Sequence, residues 1–179
     1  MNGIIDIKSY TPKSSDLFFL DNNIWMFLFC PIGNYSKAQQ RIYSSFLQSI
    51  ISAKATIFVN SLILSEFSNS FLRMDFEQWK KNNKLYGANY KKDYIPSLQY
   101  KNTVAAITAA LNNILSLSER KPDDFHMIDI DSICNNFSII DFNDSYLIEF
   151  CKNNSLKLVT DDKDFQKILN PNMSIITSN

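Results

Sequence analysis

Acids at four separated places carry the chemical signal of this chain. Asp21 directly follows the apolar run L-F-F-L at 17–20, and Glu66 lies less than two turns into the helix expected after a second apolar run, A-T-I-F-V at 55–59. Asp144 opens a later helix, and Asp161 and Asp162 follow the run L-K-L-V-T at 156–160. If those runs are parallel strands, their carboxyl ends share one sheet edge, and acids from distant parts of the chain meet in one place. Carboxylates a few ångströms apart repel one another, so they take up protons or hold a cation. Hard oxygen donors favour Mg²⁺ or Mn²⁺ over zinc, and His126, the one histidine, makes no zinc site alone. A cation held this way typically serves phosphoryl chemistry, so hydrolysis of a nucleic-acid strand is the leading reaction.

Each acid also has a plainer reading. Asp21 can cap a helix, Glu66 can pair with Arg73 or Lys80, Asp144 can cap its own helix in competition with Asp141, and Asp162 can belong to a turn rich in Asp. Arg73, Tyr90, Lys91, Lys92 and Tyr94 form a basic and aromatic cluster suited to phosphate contact and base stacking on single-stranded RNA. Its alternative is a solvated loop stabilised by tyrosine packing.

The elements that must position these residues follow from periodicity. Residues 17–20 read as a buried strand; Asn22 or Asn23 caps the next helix, which Pro31-Ile32-Gly33 ends. Ser36 caps an amphipathic helix to about residue 53, residues 55–59 form a strand, and Asn60-Ser61 cap a helix to about residue 80. Residues 82–100 are polar and tyrosine-rich, and read as a loop or lid. A helix is expected over 97–117, a strand over 125–130 with His126 in it, a helical turn from Asp131, a helix over 142–154, and strands at 156–160 and 174–177. Strands alternating with helices predict an α/β domain: three-layer α/β/α with a central mostly parallel sheet.

The chain's 179 residues suit a single domain over 1–179, and 45% hydrophobic residues exclude intrinsic disorder. Eighteen basic and eighteen acidic residues cancel, so any nucleic-acid contact must be local. Cys30, Cys134 and Cys151 are odd in number and lie among apolar residues, which suits reduced, buried thiols. With no apolar run long enough to span a bilayer, a cytoplasmic protein is expected, without membrane attachment.

The segments F-L-D-N-N-I-W, V-N-S-L-I-L-S-E-F, D-F-N-D-S-Y-L-I-E-F-C and L-K-L-V-T-D-D-K-D-F resemble, in that order, the four acidic motifs of PIN-domain ribonucleases. The resemblance spans nearly the whole chain. It implies that Asp21, Glu66, Asp144 and Asp162 are catalytic acids binding Mg²⁺ or Mn²⁺, with Asn23 and Thr160 orienting ligands or water. Asp161 stands where other members often carry Asn or Arg, and Asp164 falls in the following D-F pair. The stretch between Glu66 and Asp144 is longer than in the compact toxin members, such as the VapC-like ribonucleases. The implied activity is that of an endoribonuclease, the toxin of a toxin–antitoxin pair, partnered by a small antitoxin and able to form a homodimer. The alternative is a PIN-like module that binds RNA or protein without cutting. A haloacid-dehalogenase-like phosphatase would need a second Asp at position 23, which is Asn.

Overall fold

The computed structural model describes residues 3–167 and 173–179. Six strands are described: β1 (Gly3–Asp6), β2 (Leu17–Leu20), β3 (Thr56–Val59), β4 (Glu119–Arg120), β5 (Lys157–Val159) and β6 (Ser174–Thr177). They form one sheet in the order β1-β6-β5-β2-β3-β4, and every pairing is parallel. The helices are α1 (Asn22–Phe29), α2 (Lys37–Ser52), α3 (Ser61–Asn82), α4 (Leu98–Leu117), α5 (Ile130–Asn136) and α6 (Phe142–Asn153).

Side-chain alternation along β2 produces the three layers. Phe18 meets Phe46 of α2 edge-on at 5.9 Å, while its neighbour Phe19 packs on Phe150 of α6 at 5.1 Å. Successive strand residues point to opposite faces, so α2 and α6 cover opposite sides of the sheet. Both phenylalanines are fully buried, as are Leu158 and Ile176 on the neighbouring strands. Strands covered on both faces read as unbroken apolar runs, which is why L-F-F-L was legible; L-K-L-V-T is interrupted only by Lys157, whose ammonium reaches Asp16 at 3.3 Å.

Topology then fixes where a site must lie. From β2 the chain builds outward through β3 and β4 on one side, and later fills the other side with β5 and β6. The crevice of an open parallel sheet lies beyond the carboxyl ends of the strands where the order reverses. Here that point falls between the ends of β2 and β5, where Asp21 and residues 160–162 emerge.

Several expectations are corrected. Asp21, not Asn22 or Asn23, caps α1, because its carboxylate reaches the backbone N–H of Asn22. The strand expected over 125–130 is a 3₁₀ turn (Phe125–Met127) leading into α5, which Asp129 caps. Asp124 sits there in the left-handed region at φ 47°, which breaks an extended run, and His126 is exposed in the turn. Within 82–100, residues 83–97 connect α3 to α4, and 83–87 are exposed as a loop would be, but the second half is packed down. It holds a π-helical turn (Tyr90–Tyr94) whose last ring is fully buried against Phe76, Trp79 and Tyr100. Cys30 and Cys151 are buried, but Cys134 is exposed; all three thiols are free. Among the described residues no helix is long and apolar enough to cross a membrane.

Candidate active site at the carboxyl edge of the sheet

The end of β2 delivers Asp21, which is 6% exposed, and the end of β5 delivers Thr160, which is wholly buried. The two ends are sewn together by side chains. Asp21 Oδ2 accepts from Thr160 Oγ1 at 2.7 Å and from Asn23 Nδ2 at 2.6 Å, while its Oδ1 accepts from the Asn22 amide at 2.6 Å. Asn23 Nδ2 also donates to Thr160 Oγ1, and Asn23 Oδ1 accepts from the Asp161 amide. Thr160 Oγ1 accepts in turn from the Asp162 amide at 3.0 Å, and Asp162 Oδ1 accepts from the Asp164 amide. Asn23 and Thr160 therefore hold the loop after β5 against the start of α1.

Two helices bring the remaining acids. Asn60 caps α3 through Ile63, which sets Glu66 facing the crevice from the helix's second turn. Asp141 caps α6 by accepting from the Asp144 amide at 2.9 Å, leaving the Asp144 carboxyl free of capping duty. Asp21, Glu66, Asp141, Asp144, Asp162 and Arg73 line one cleft of about 370 Å³. Neither plainer reading of Glu66 holds: it accepts from Asn143 Nδ2 at 2.5 Å, and Lys80 pairs with Glu77 instead.

The electrostatics agree with a shared cleft. Burial lifts the Asp21 carboxyl to about 6, against the pull of the Thr160 and Asn22 hydrogen bonds and with help from Asp162 and Asp141. Burial, then the charge of Asp21, lifts Glu66 to about 7, with Asn143 opposing. Asp144 rises furthest, to about 8, through burial and the charges of Asp141, Asp21, Asp162 and Glu66. Such mutual displacement is what repelling carboxylates in a partly dry crevice do.

The donor set fits a hard divalent cation, because the cleft presents oxygen ligands with no thiol or imidazole, and the Oδ1 of Asn22 is buried there without a hydrogen-bond partner. The acids do not form a closed cage. Among the described residues no three His, Cys, Asp or Glu side chains are grouped as a ready-made ligand set. An open arrangement suits Mg²⁺, which keeps several waters and is gripped by few carboxylates.

The other expected residues fall elsewhere. Asp161 turns away from the cleft and ties the sheet edge to α2 and the chain's last residues, accepting from Tyr43 Oη at 2.7 Å, Ser178 Oγ at 2.9 Å and Gln39 Nε2 at 2.6 Å. Asp164 pairs with Lys167 at 2.7 Å in the turn after β5. Arg73 lines the acid cleft, but Tyr90, Lys91 and Lys92 do not. Tyr90 packs on Phe76, and the backbone amides of Lys91 and Lys92 donate to Asn89 Oδ1. Tyr94 is inaccessible to any base, because its ring is buried and its hydroxyl donates to Asp75 Oδ2 at 2.5 Å. Asp141 and Asn143 are cleft residues that sequence reasoning missed as such; the clue was their place in the first turn before Asp144, on the end of the helix that faces the sheet edge.

Comparison with known families matches the PIN domain over residues 18–169. The chain belongs to the PIN domain family. All four acidic segments fall inside the matched span. Among solved structures, a chain of VapBC2 from Rickettsia felis, in a complex bound to a DNA fragment from their promoter, is similar at 16% identity and a TM-score of 0.55. The match covers 90% of this chain and 98% of that one, so nearly all of this fold is shared. No curated protein matches the chain. In this PIN domain the four motif acids and Asp141 therefore line one cleft beyond the carboxyl edge of the parallel sheet, with Asn23 and Thr160 bracing Asp21.

Proposed function

We propose that this PIN domain is a Mg²⁺- or Mn²⁺-dependent endoribonuclease, acting as the toxin of a toxin–antitoxin pair. The observation that carries this reading is the single cleft lined by Asp21, Glu66, Asp144 and Asp162, in which burial and neighbouring acids raise the pKa of the first three. Asp21, Asp144 and Asp162 would hold the ion, with Glu66 either binding it or placing the attacking water. The cation would supply charge neutralisation and a more acidic water for attack on the phosphodiester. The chain's own part is positional. Thr160 and Asn23 fix the Asp21 carboxylate, Asn143 fixes Glu66, and Arg73 offers a cation on the cleft wall for a phosphate oxygen.

The Rickettsia felis structure contains a VapBC2 assembly. By analogy, this chain's partner is a small antitoxin whose segment fills the acid-lined cleft, and a homodimer in the cytoplasm is the expected assembly. A second reading, a PIN module that binds RNA or protein without cutting, draws on the lack of a closed three-acid cage among the described residues. Incubating purified protein with a defined single-stranded RNA separates the two. The nuclease reading expects internal cleavage with added Mn²⁺ or Mg²⁺ and none with chelator; intact RNA under both conditions, with binding retained, favours the module.

A further inference from the structure

Two more cavities continue the acid cleft along the carboxyl edge of the sheet. The first, of about 530 Å³, shares Asn143 with the acid cleft and is walled by Phe125, Phe142, Tyr146, Ser61 and Asp123. Phe125 and Phe142 are 60% and 44% exposed, so their rings offer faces that the core does not use. Tyr146 is held in place by its hydroxyl, which donates to the Asp123 carbonyl at 2.7 Å, and its ring lies nearly parallel to that of Phe125. The second cavity, of about 520 Å³, shares Ser61 and Asp123 with the first and adds Asn60, Arg120 and Lys121.

This second cavity is built for an anion. Asn60 is 3% exposed; its Oδ1 accepts from Ile63 to cap α3, and its buried Nδ2 has no hydrogen-bond partner. The cavity sits at the start of a 22-residue helix, where amide groups and the helix dipole favour negative charge. Strand β4 ends beside β3, so Arg120 and Lys121 emerge at that same edge. Among the described residues neither cation forms an ion pair with a carboxylate; the Lys121 ammonium stands over the Phe58 ring, 5.1 Å from its centroid. Asp123 stands on the seam between the cavities, one oxygen accepting from Ser61 Oγ and the other without a partner, an acceptor for the amino edge of a base.

We infer that these two cavities form a nucleotide subsite: an unstacked base of a single-stranded RNA lies against Phe125 and Phe142, with the buried Tyr146 backing Phe125, and an adjoining phosphate is held by Asn60, Arg120 and Lys121. The inference takes its substrate class from the ribonuclease reading and places the bound strand on the side of the acid cleft toward the start of α3. The residues 90–94 expected to contact RNA lie beyond that helix's middle, outside both cavities. A peptide segment is the less suited occupant, because the cavity continues directly into paired cations and a buried unpaired amide donor, groups that match a phosphate.

The test is binding of a labelled single-stranded RNA hexamer to full-length Asp144→Asn protein in chelator, so that turnover does not interfere. Phe125→Ala with Phe142→Ala is expected to weaken binding about fivefold or more, in keeping with aromatic–base stacking. An abasic site in the RNA should cost the parent protein affinity but cost the double variant little. Asn60→Ser keeps a helix-capping oxygen while removing the amide donor, and is expected to weaken binding about tenfold with the melting temperature little changed. Arg120→Ala should flatten the log–log salt dependence by roughly 0.7. Unchanged affinity and salt slope in all of these variants, with folding intact, overturns the subsite and leaves the face to a protein partner. Wild-type cleavage alongside that result spares the nuclease reading, whereas variant-sensitive binding without any cleavage refutes the nuclease reading and leaves the subsite standing.

Discussion

Asp144 is the acid whose removal separates chemistry from folding most cleanly. Its carboxyl is pushed up to about 8 by burial and four neighbouring acids, so the metal-free fold gains nothing from its charge. Asp144→Asn should lower RNA cleavage at least about a hundredfold while the chelated protein melts no lower than wild type, because a repelled charge has been removed. Cleavage assays and thermal melts on the same preparation check both halves. Thr160→Val should behave differently. It removes the donor to Asp21 and strands the Asp162 amide, so a loss of about 1–3 kcal/mol in stability should accompany lost activity, as read by urea titration. Asp21, Glu66, Asp144 and Asp162 were legible in the sequence because each follows a strand or opens a helix, positions that a parallel sheet gathers at one edge. Asp141 was not, since the acid that caps α6 also faces the cleft, and periodicity does not separate the two roles. Asp161 resisted for the opposite reason: its partners Gln39, Tyr43 and Ser178 are remote in sequence.

At the scale of elements, α3 carries the site at one end and a buried polar cluster at the other. Asp75 is 4% exposed and accepts from Tyr94 Oη, Thr103 Oγ1 at 2.8 Å and Gln99 Nε2 at 2.8 Å, joining α3, the π-helical turn and α4. Replacing it with Ala strands three donors, so a loss of about 3 kcal/mol is expected in denaturant unfolding, with Tyr94→Phe costing about 1 kcal/mol. Equal and negligible losses would show that the cluster is a passenger. The same cluster explains why residues 82–100 read as a lid. Tyrosines and lysines in a glycine-containing stretch look solvated until a buried Asp, 19 residues upstream of Tyr94, supplies the partner. The two-residue strand β4 was equally hidden, because E-R has no strand pattern and its identity rests on pairing with β3. Longer elements such as α2, α4 and α6 were readable because their apolar faces repeat over several turns.

For the whole molecule, the raised carboxyls link stability to pH. Asp21, Glu66 and Asp144 titrate at about 6, 7 and 8 in the fold, against ordinary values of 3.8 and 4.5 in the unfolded chain. The folded state thus binds more protons between about pH 4 and 8, and stability falls as pH rises through that window. Urea midpoints in chelator should drop from pH 5 to pH 8 and level off above; a rise across this range would contradict the shared cleft. A cation bound to the same acids opposes the trend, since a ligand held only by the fold stabilises it by mass action. The most direct test of the account is therefore a Mn²⁺ titration by calorimetry at pH 7.5, on wild type and on the Asp21→Asn, Asp144→Asn double variant. Saturable binding to wild type that is weakened at least about tenfold in the double variant is the predicted result. Wild-type protein that takes up no Mn²⁺ at millimolar concentration, or a double variant that binds it equally well, would contradict the metal-dependent site.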